Sequence, residues 1–192
     1  MTTVRQRLNR ATVIDMAADL ADTHGIDAVS LQRIANDAGV KQPALYRHVT
    51  GIEELWKLLA LRARDFLARY LREAQQGHTR RDAVTAVARA WRLFVQQHPG
   101  LYSATDRVPS TGDAEIEASL AQVVAELSQA LDGYELSAAQ QAQCARSLRS
   151  ALHGFCVLEK DNGHPEPYAL NEGLANMVDL FCRGVEALEE ST

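Results

Sequence analysis

The sequence is poor in cysteine, which argues against two common kinds of small scaffold. Its 192 residues contain only Cys144, Cys156 and Cys182, an odd number with no C-x-x-C pair. Disulfide frameworks use paired cysteines, and structural zinc sites use closely spaced pairs of ligands. The sequence therefore predicts three thiols in helices, with no disulfide framework, no metal and no cofactor.

Long hydrophobic runs are also missing. No apolar stretch approaches the roughly 18 residues that a membrane-spanning helix requires. Residues 1–10 are polar and contain no apolar signal core. We therefore expect a cytoplasmic protein with no membrane partner.

A basic excess is lacking as well. The net charge of -5 argues against a protein that coats nucleic acid through charge alone. The charge is nevertheless uneven, because residues 1–50 carry +1 and the remaining residues carry -6. This distribution suits a DNA-binding protein that contacts the duplex through its N-terminal residues, while its acidic remainder makes no contact with DNA.

The sequence does contain a helical pattern of apolar residues. Alanine and leucine dominate, apolar residues recur at i, i+3, i+4 and i+7, and sustained alternation with period two is absent. The pattern predicts an all-α fold. The expected helices cover about residues 9–24, 30–38, 42–48, 51–76, 80–97, 113–131, 137–160 and 170–188.

The first three predicted helices form a compact pattern. Asn9 and Ser30 suit N-cap positions, Gly25 and Gly39 suit helix ends, and Pro43 suits a first turn. The residues left to face outward on the third helix are Gln42, Tyr46, Arg47 and His48. Because an α-helix fits the major groove of DNA, this arrangement predicts a helix-turn-helix head in residues 1–50. Residues 51–192 are expected to form a larger helical domain.

Two stretches resemble a known family. The stretch A28-V-S-L-Q-R-I-A-N-D-A-G-V-K-Q-P-A-L-Y-R-H-V49, with Gly25 and Glu53-Glu54-Leu55, resembles the signature of TetR-family repressors over residues 9–58. Residues 146–159 resemble a regulatory domain named for a Trp-His-Gly motif. Here the triplet is Leu152-His153-Gly154, without the tryptophan.

The resemblance implies a set of DNA contacts. It implies that Ser30 both caps a helix and touches phosphate, and that Tyr46 and His48 hold the sugar-phosphate backbone. Gln42 would pair with adenine, and Lys41, which replaces the usual serine or threonine, would contact guanine or phosphate. The predicted DNA-binding residues are Ser30, Lys41, Gln42, Pro43, Tyr46, Arg47 and His48. Gly51 and Ile52 replace a usual serine and lysine, so a phosphate anchor is missing there.

The resemblance also implies a homodimer and a ligand pocket in the larger domain. The last two helices would pair with their symmetry mates through Ala151, Phe155, Leu174, Met177, Val178 and Phe181, although packing within one chain is the alternative. The pocket candidates are Phe66, Trp91, Phe94, Tyr102, Arg149 and His153, which could equally be ordinary core. Aromatic walls with a few polar groups would suit a mostly apolar effector.

The predicted function is therefore a ligand-responsive repressor that binds a palindromic operator as a dimer and is released by a small molecule. The alternative is a helical small-molecule-binding protein or an enzyme with a vestigial head. His153, Cys156 and Glu159 lie at i, i+3 and i+6, but one helix rarely completes a metal site. We therefore expect no catalysis. A regulator that senses no ligand, or one that activates, stays open.

Overall fold

The computed structural model describes residues 8–163 and 169–190, and within these ranges the regular structure is helical throughout. The α-helices are α1 Arg10–His24, α2 Leu31–Asp37, α3 Ile52–Gln75, α4 Arg80–Gln97, α5 Pro99–Ser103, α6 Ala114–Gln129, α7 Ala138–Lys160 and α8 Leu170–Glu189. Three 3₁₀ segments cover Ile26–Ala28, Gln42–Arg47 and Ala104–Asp106. The described ranges contain no strand, and the all-α prediction is confirmed.

The helix ends lie at capping residues. The Asn9 Oδ1 atom accepts a hydrogen bond from the Thr12 amide at 2.9 Å, and Gly25 ends α1 with a φ of 84°. At the start of α7, Ser137 and Gln140 form a reciprocal capping box. These local signals explain why the observed helix bounds lie within two residues of the expected ones.

The structure corrects two of the expected elements. Residues 42–48 were expected to form an α-helix, but Gln42–Arg47 is a 3₁₀ helix. Pro43 has no amide hydrogen, and short i-to-i-3 bonds such as Ala44 N to Lys41 O at 2.9 Å close the turns instead. No helix was expected between residues 97 and 113, yet Pro99 begins the short helix α5.

The contacts divide the chain into two compact units. The head unit comprises the described residues up to Ala63 together with Gln97–Glu117, and the body unit comprises Arg64–Gln96 with the described residues from Ala118 onward. This division differs from the functional division expected at residue 50, because the start of α3 and residues 97–117 pack with the head. The functional division stays a prediction.

Within the head unit, α5 is fitted closely against α1. A Cβ atom on Gly100 would lie 1.9 Å from the Ala21 carbonyl oxygen, so only glycine fits at this crossing. The Asp22 carboxylate accepts a hydrogen bond from the Leu101 amide at 2.7 Å and lies 3.0 Å from His98 Nδ1. Close backbone packing and a side-chain cap therefore hold α5 to the first helix.

Within the body unit, arginines of α4 connect this helix to the two C-terminal helices. Arg92 Nε lies 2.7 Å from Glu159 Oε2 of α7, and Arg80 Nη2 lies 2.8 Å from Glu189 Oε2 of α8. Arg81 forms an ion pair with Asp179 of α8. The buried residues of α4 are all apolar. Of the helices that the structure describes, none is long and apolar enough to cross a membrane.

Candidate DNA-binding surface and ligand cavity

The helix-turn-helix begins with α2. One face of this helix is buried in the head unit. Leu31, Ile34 and Ala35 are buried, and Ser30 Oγ caps the helix by accepting a hydrogen bond from the Arg33 amide at 3.2 Å. Ser30 therefore caps the helix, as expected. Its predicted phosphate contact stays a prediction.

The recognition segment, Gln42–Arg47, is anchored by one side and open on the other. Leu45 is fully buried and Val49 is 1% exposed, which fixes the segment to the head unit. The exposed members of the predicted DNA-binding set are Ser30, Lys41, Pro43, Tyr46 and Arg47, and the half-buried members are Gln42 and His48. The structure therefore leaves all seven residues at or near the surface, six of them within residues 41–48 and Ser30 at the start of α2.

Gln42 is partly preorganised by its neighbour. Its Nε2 atom donates a hydrogen bond to the Tyr46 hydroxyl oxygen at 3.2 Å. A glutamine amide carries two N–H donors and a carbonyl acceptor, so one donor and the acceptor stay available. These two groups are the pair that adenine recognition in the major groove requires.

Lys41 and Arg47 place a positive charge at each end of the recognition segment. Within residues 8–163 and 169–190, neither Lys41 nor Arg47 forms an ion pair, whereas Arg33 lies 3.3 Å from Asp37 Oδ2. Two exposed cations flanking an exposed polar segment suit the phosphates of a duplex.

The start of α3 is organised around an acidic residue rather than a lysine. Glu54 Oε2 accepts hydrogen bonds from the Thr50 amide at 2.5 Å and the Thr50 hydroxyl at 2.9 Å. These bonds hold the pKa of Glu54 below its usual range, and Arg10 pairs with the same carboxylate at 2.6 Å. Ile52 is half-buried at the first position of the helix. This end of the surface therefore lacks a lysine anchor, as the sequence indicated.

The predicted pocket residues occupy several different places. Trp91 and Phe94 are buried on α4, and Phe94 makes an edge-to-face contact with Tyr70 at 5.4 Å between ring centroids. Phe66, Arg149 and His153 are half-buried in the body unit, and Tyr102 is buried in the head unit. Their role in ligand binding stays a prediction.

The body unit contains a cavity of about 570 Å³ between α4 and α8, which we call the α4–α8 cavity. Its lining residues are Arg81, Thr85, Ala88, Arg89 and Arg92 on α4, and Asn171, Leu174, Ala175, Val178 and Asp179 on α8. None of the six predicted pocket residues lines it. The missed signal is a stripe of arginines at i, i+8 and i+11 on an amphipathic helix.

The predicted dimer residues are partly covered by their own chain. Phe155, Leu174 and Val178 are buried, and Ala151, Met177 and Phe181 are half-buried. The large apolar side chains most open to solvent on α7 and α8 were not in the predicted set: Leu158, Leu180 and Leu188 are 47%, 72% and 40% exposed. Met177, Leu180, Phe181 and Leu188 recur at helical spacing on one side of α8, and we call these four residues the apolar stripe.

The arrangement of His153, Cys156 and Glu159 does not favour a metal site. Glu159 accepts bonds from Arg92 through both carboxylate oxygens, at 2.7 Å each. Burial raises the pKa of Cys156 to about 12, so the thiol stays protonated at neutral pH. In the part of the chain that the structure describes, no cluster of three or more His, Cys, Asp or Glu residues could hold a metal ion.

A capped helix, a tight turn and an exposed second segment define a helix-turn-helix protein, and comparison with known proteins agrees. The model of "Bacterial regulatory proteins, tetR family" matches residues 13–58, and that of "Tetracyclin repressor-like, C-terminal domain" matches residues 84–181. The second description does not mention a Trp-His-Gly motif, so that finer resemblance stays a prediction. An HTH-type transcriptional regulator of Mycobacterium tuberculosis is 34% identical over 181 residues, which are 94% of this chain and 83% of that protein.

Solved structures show the same architecture. A tetR-family transcriptional regulator from Streptomyces coelicolor has a TM-score of 0.73 at 25% identity, over 99% of this chain and 84% of that one. A variant TetR from Acinetobacter baumannii in complex with minocycline has a TM-score of 0.71 at 16% identity, over 95% of this chain and 99% of that one. The chain belongs to the TetR family of transcriptional regulators. The resemblance to this family and the predicted fold of a helix-turn-helix head with a larger helical domain are therefore confirmed.

Proposed function

We propose that this regulator is a ligand-responsive repressor, which binds a near-palindromic operator as a homodimer and leaves it when a small molecule binds. The observation that carries the proposal is the recognition segment. It is fixed by buried Leu45 and presents Gln42 and Tyr46 outward, with the exposed cations Lys41 and Arg47 beside them.

In this proposal Gln42 recognises the bases of the operator. The charged residues around it contribute affinity for the duplex that does not depend on its sequence. The available donor and acceptor of Gln42 suit a bidentate pair with adenine, which is worth about 1–3 kcal/mol of discrimination. Lys41 and Arg47 contribute phosphate attraction, which is insensitive to sequence and weakens with salt.

The apolar stripe supports the dimer. Leu180 is 72% exposed, and large apolar side chains rarely cluster on the surface of a soluble monomer without a partner. A two-fold contact between copies would cover the same residues on both chains. Two heads about one helical turn apart on the duplex would then read two half-sites in inverted orientation.

Ligand response is assigned to a population shift. The effector would favour a state in which the heads are wrongly spaced for successive major grooves, and the operator would favour the other state. The bonds of Asp22 to His98 and Leu101 offer a contact through which the position of α5 bears on α1 within the head unit. The minocycline complex of the Acinetobacter TetR supports a small molecule as the effector.

The test is selection of bound sequences from random duplexes by the purified full-length protein at a stated salt concentration. We expect enrichment of one sequence with two inverted half-sites. If no sequence is enriched and binding vanishes at modest salt, the head is not a specific reader and the repressor proposal is withdrawn.

A further inference from the structure

The α4–α8 cavity differs in chemistry from the aromatic pocket expected from the sequence. Three of its ten lining residues are arginines, and only Asp179 carries the opposite charge. Its floor is aliphatic, because Ala88, Leu174 and Val178 are buried. A cationic, aliphatic cavity in a chain of net charge -5 points to a ligand with a negative head and a carbon tail.

The charges of the lining do not contribute equally. Arg81 pairs with Asp179, whose other oxygen lies 2.8 Å from Arg183 Nε, so this carboxylate is already compensated. Arg92 is bound to Glu159 and to Asn171 Oδ1, the latter at 2.6 Å. Arg89 is exposed and has no ion pair among residues 8–163 and 169–190. The uncompensated charge of the lining is therefore on Arg89.

A second donor lies on the facing helix. Asn171 accepts from Arg92 through Oδ1, which orients its side chain and leaves the Nδ2 hydrogens without a partner in the described residues. A carboxylate accepts several hydrogen bonds and pairs with the planar guanidinium in a bidentate manner. Arg89 on α4 and Asn171 on α8 both line the cavity, so a carboxylate bound there has a hydrogen-bond donor on each helix.

The dimensions and position of the cavity suit such a ligand. A volume of about 570 Å³ lies within the range of small-molecule sites. The α4 lining runs from Arg81 to Arg92, which at the rise of an α-helix is about 16 Å. On α8, the lining residues at 171, 174, 175, 178 and 179 follow a different stripe from Leu180 and Leu188, so a partner chain on the apolar stripe would not fill the cavity.

We propose that the α4–α8 cavity binds a medium-chain carboxylate, with its head on Arg89 and Asn171 and its tail on Ala88, Leu174 and Val178. The regulatory consequence, that this amphiphile is the effector, rests on the function proposed above. The binding itself does not.

The test is isothermal titration of the full-length protein with decanoate, below its micellar concentration, and with decan-1-ol as the uncharged match. We expect one decanoate per chain, and at least tenfold weaker binding of decan-1-ol. Arg89→Gln is expected to weaken decanoate binding at least tenfold. Arg146→Gln, an exposed arginine of α7 outside the cavity, is expected to leave it unchanged.

A second variant tests the cavity without altering its charge. Ala175 is exposed in the lining, so Ala175→Phe is expected to fill the space, abolish decanoate binding and leave the melting temperature close to that of the parent. Equal affinity for decanoate and decan-1-ol, or unchanged binding by Arg89→Gln or Ala175→Phe, would overturn the proposal.

The operator separates this inference from the proposed function. If decanoate binds through Arg89 and weakens operator binding in the parent but not in Arg89→Gln, the cavity is the effector site. If it binds and leaves operator affinity unchanged, the effector assignment is overturned and the ligand site stands. If a selected operator is bound but decanoate is not, the repressor function stands and this inference fails.

Discussion

The crossing of α1 and α5 gives the sharpest stability prediction, for the substitution Gly100→Ala. The added Cβ would lie 1.9 Å from the Ala21 carbonyl oxygen, 2.0 Å from its carbonyl carbon and 2.6 Å from the Asp22 nitrogen. All three atoms belong to the backbone of α1, so no side chain can rotate away. Normal contact requires the two helices to separate by about 1.5 Å.

That separation has two costs. Overpacking at a rigid contact costs about 1–3 kcal/mol. It also lengthens the 2.7 Å bond from the Leu101 amide to Asp22, and the loss of a hydrogen bond to a charged acceptor costs about 1.5–3 kcal/mol. We expect the head unit to lose about 3–5 kcal/mol of its free energy of unfolding.

The two tryptophans allow the assay to report on one unit. Trp56 is buried in the head unit and Trp91 in the body unit, so Trp56 fluorescence in a Trp91→Phe background follows the head alone. Urea unfolding of Gly100→Ala is compared with Gly51→Ala, where a Cβ meets nothing within 4 Å. If Gly100→Ala unfolds at the same urea concentration as Gly51→Ala, the close fit of α5 to α1 is refuted.

Three further predictions concern a cap, a carboxylate and the apolar stripe. Ser137→Ala removes the capping box of α7 and should cost about 1 kcal/mol, measured as a lower urea midpoint, whereas an unchanged midpoint would deny the cap any stabilising role. The folded-state pKa of Glu54 is below its ordinary 4.5, so its bonds to Thr50 stabilise above that pH and are lost as the pH falls through the folded pKa. The difference in free energy of unfolding between the parent and Glu54→Gln should therefore be largest near neutral pH and should disappear in acid. A difference that does not change with pH would contradict this. Leu180→Lys should convert the dimer to a monomer, as measured by sedimentation velocity. Leu93→Lys is the control, because Leu93 is a 46%-exposed leucine of α4, and this variant should stay dimeric. If Leu180→Lys stays dimeric, the interface lies elsewhere.

The fold was predictable because its signals are local. The caps at Asn9 and Ser137, the stop at Gly25 and the apolar period determine where helices begin and end, and neighbours a few residues apart create each signal. The helical segment expected at residues 42–48 is present at Gln42–Arg47 but is of a different helix type. Its 3₁₀ form depends on a six-residue length and on the missing amide of Pro43, whereas side-chain periodicity is similar for both types over so short a stretch.

The body unit was harder to predict because its features arise from pairs distant in sequence. The charge that the α4–α8 cavity presents depends on which of its arginines form ion pairs. Arg92 pairs with a carboxylate 67 residues away in sequence, and Arg81 pairs with one 98 residues away. Aromatic residues such as Trp91 and Phe94 were natural pocket candidates, but periodicity does not distinguish a buried ring from a ring that lines a cavity.

Reading of DNA by the recognition segment is the central claim, and base-resolved binding by Gln42→Ala tests it most directly. The parent and the variant are measured on the selected duplex and on its single base-pair variants at one salt concentration. We expect Gln42→Ala to bind the selected duplex with about 1–3 kcal/mol less binding free energy. Its affinity should also no longer depend on the base at one symmetric pair of adenine positions. Lys41→Gln is the control, and should weaken all duplexes alike and reduce the salt dependence. If Gln42→Ala keeps the full base preference of the parent, the segment does not read the operator and the account is contradicted.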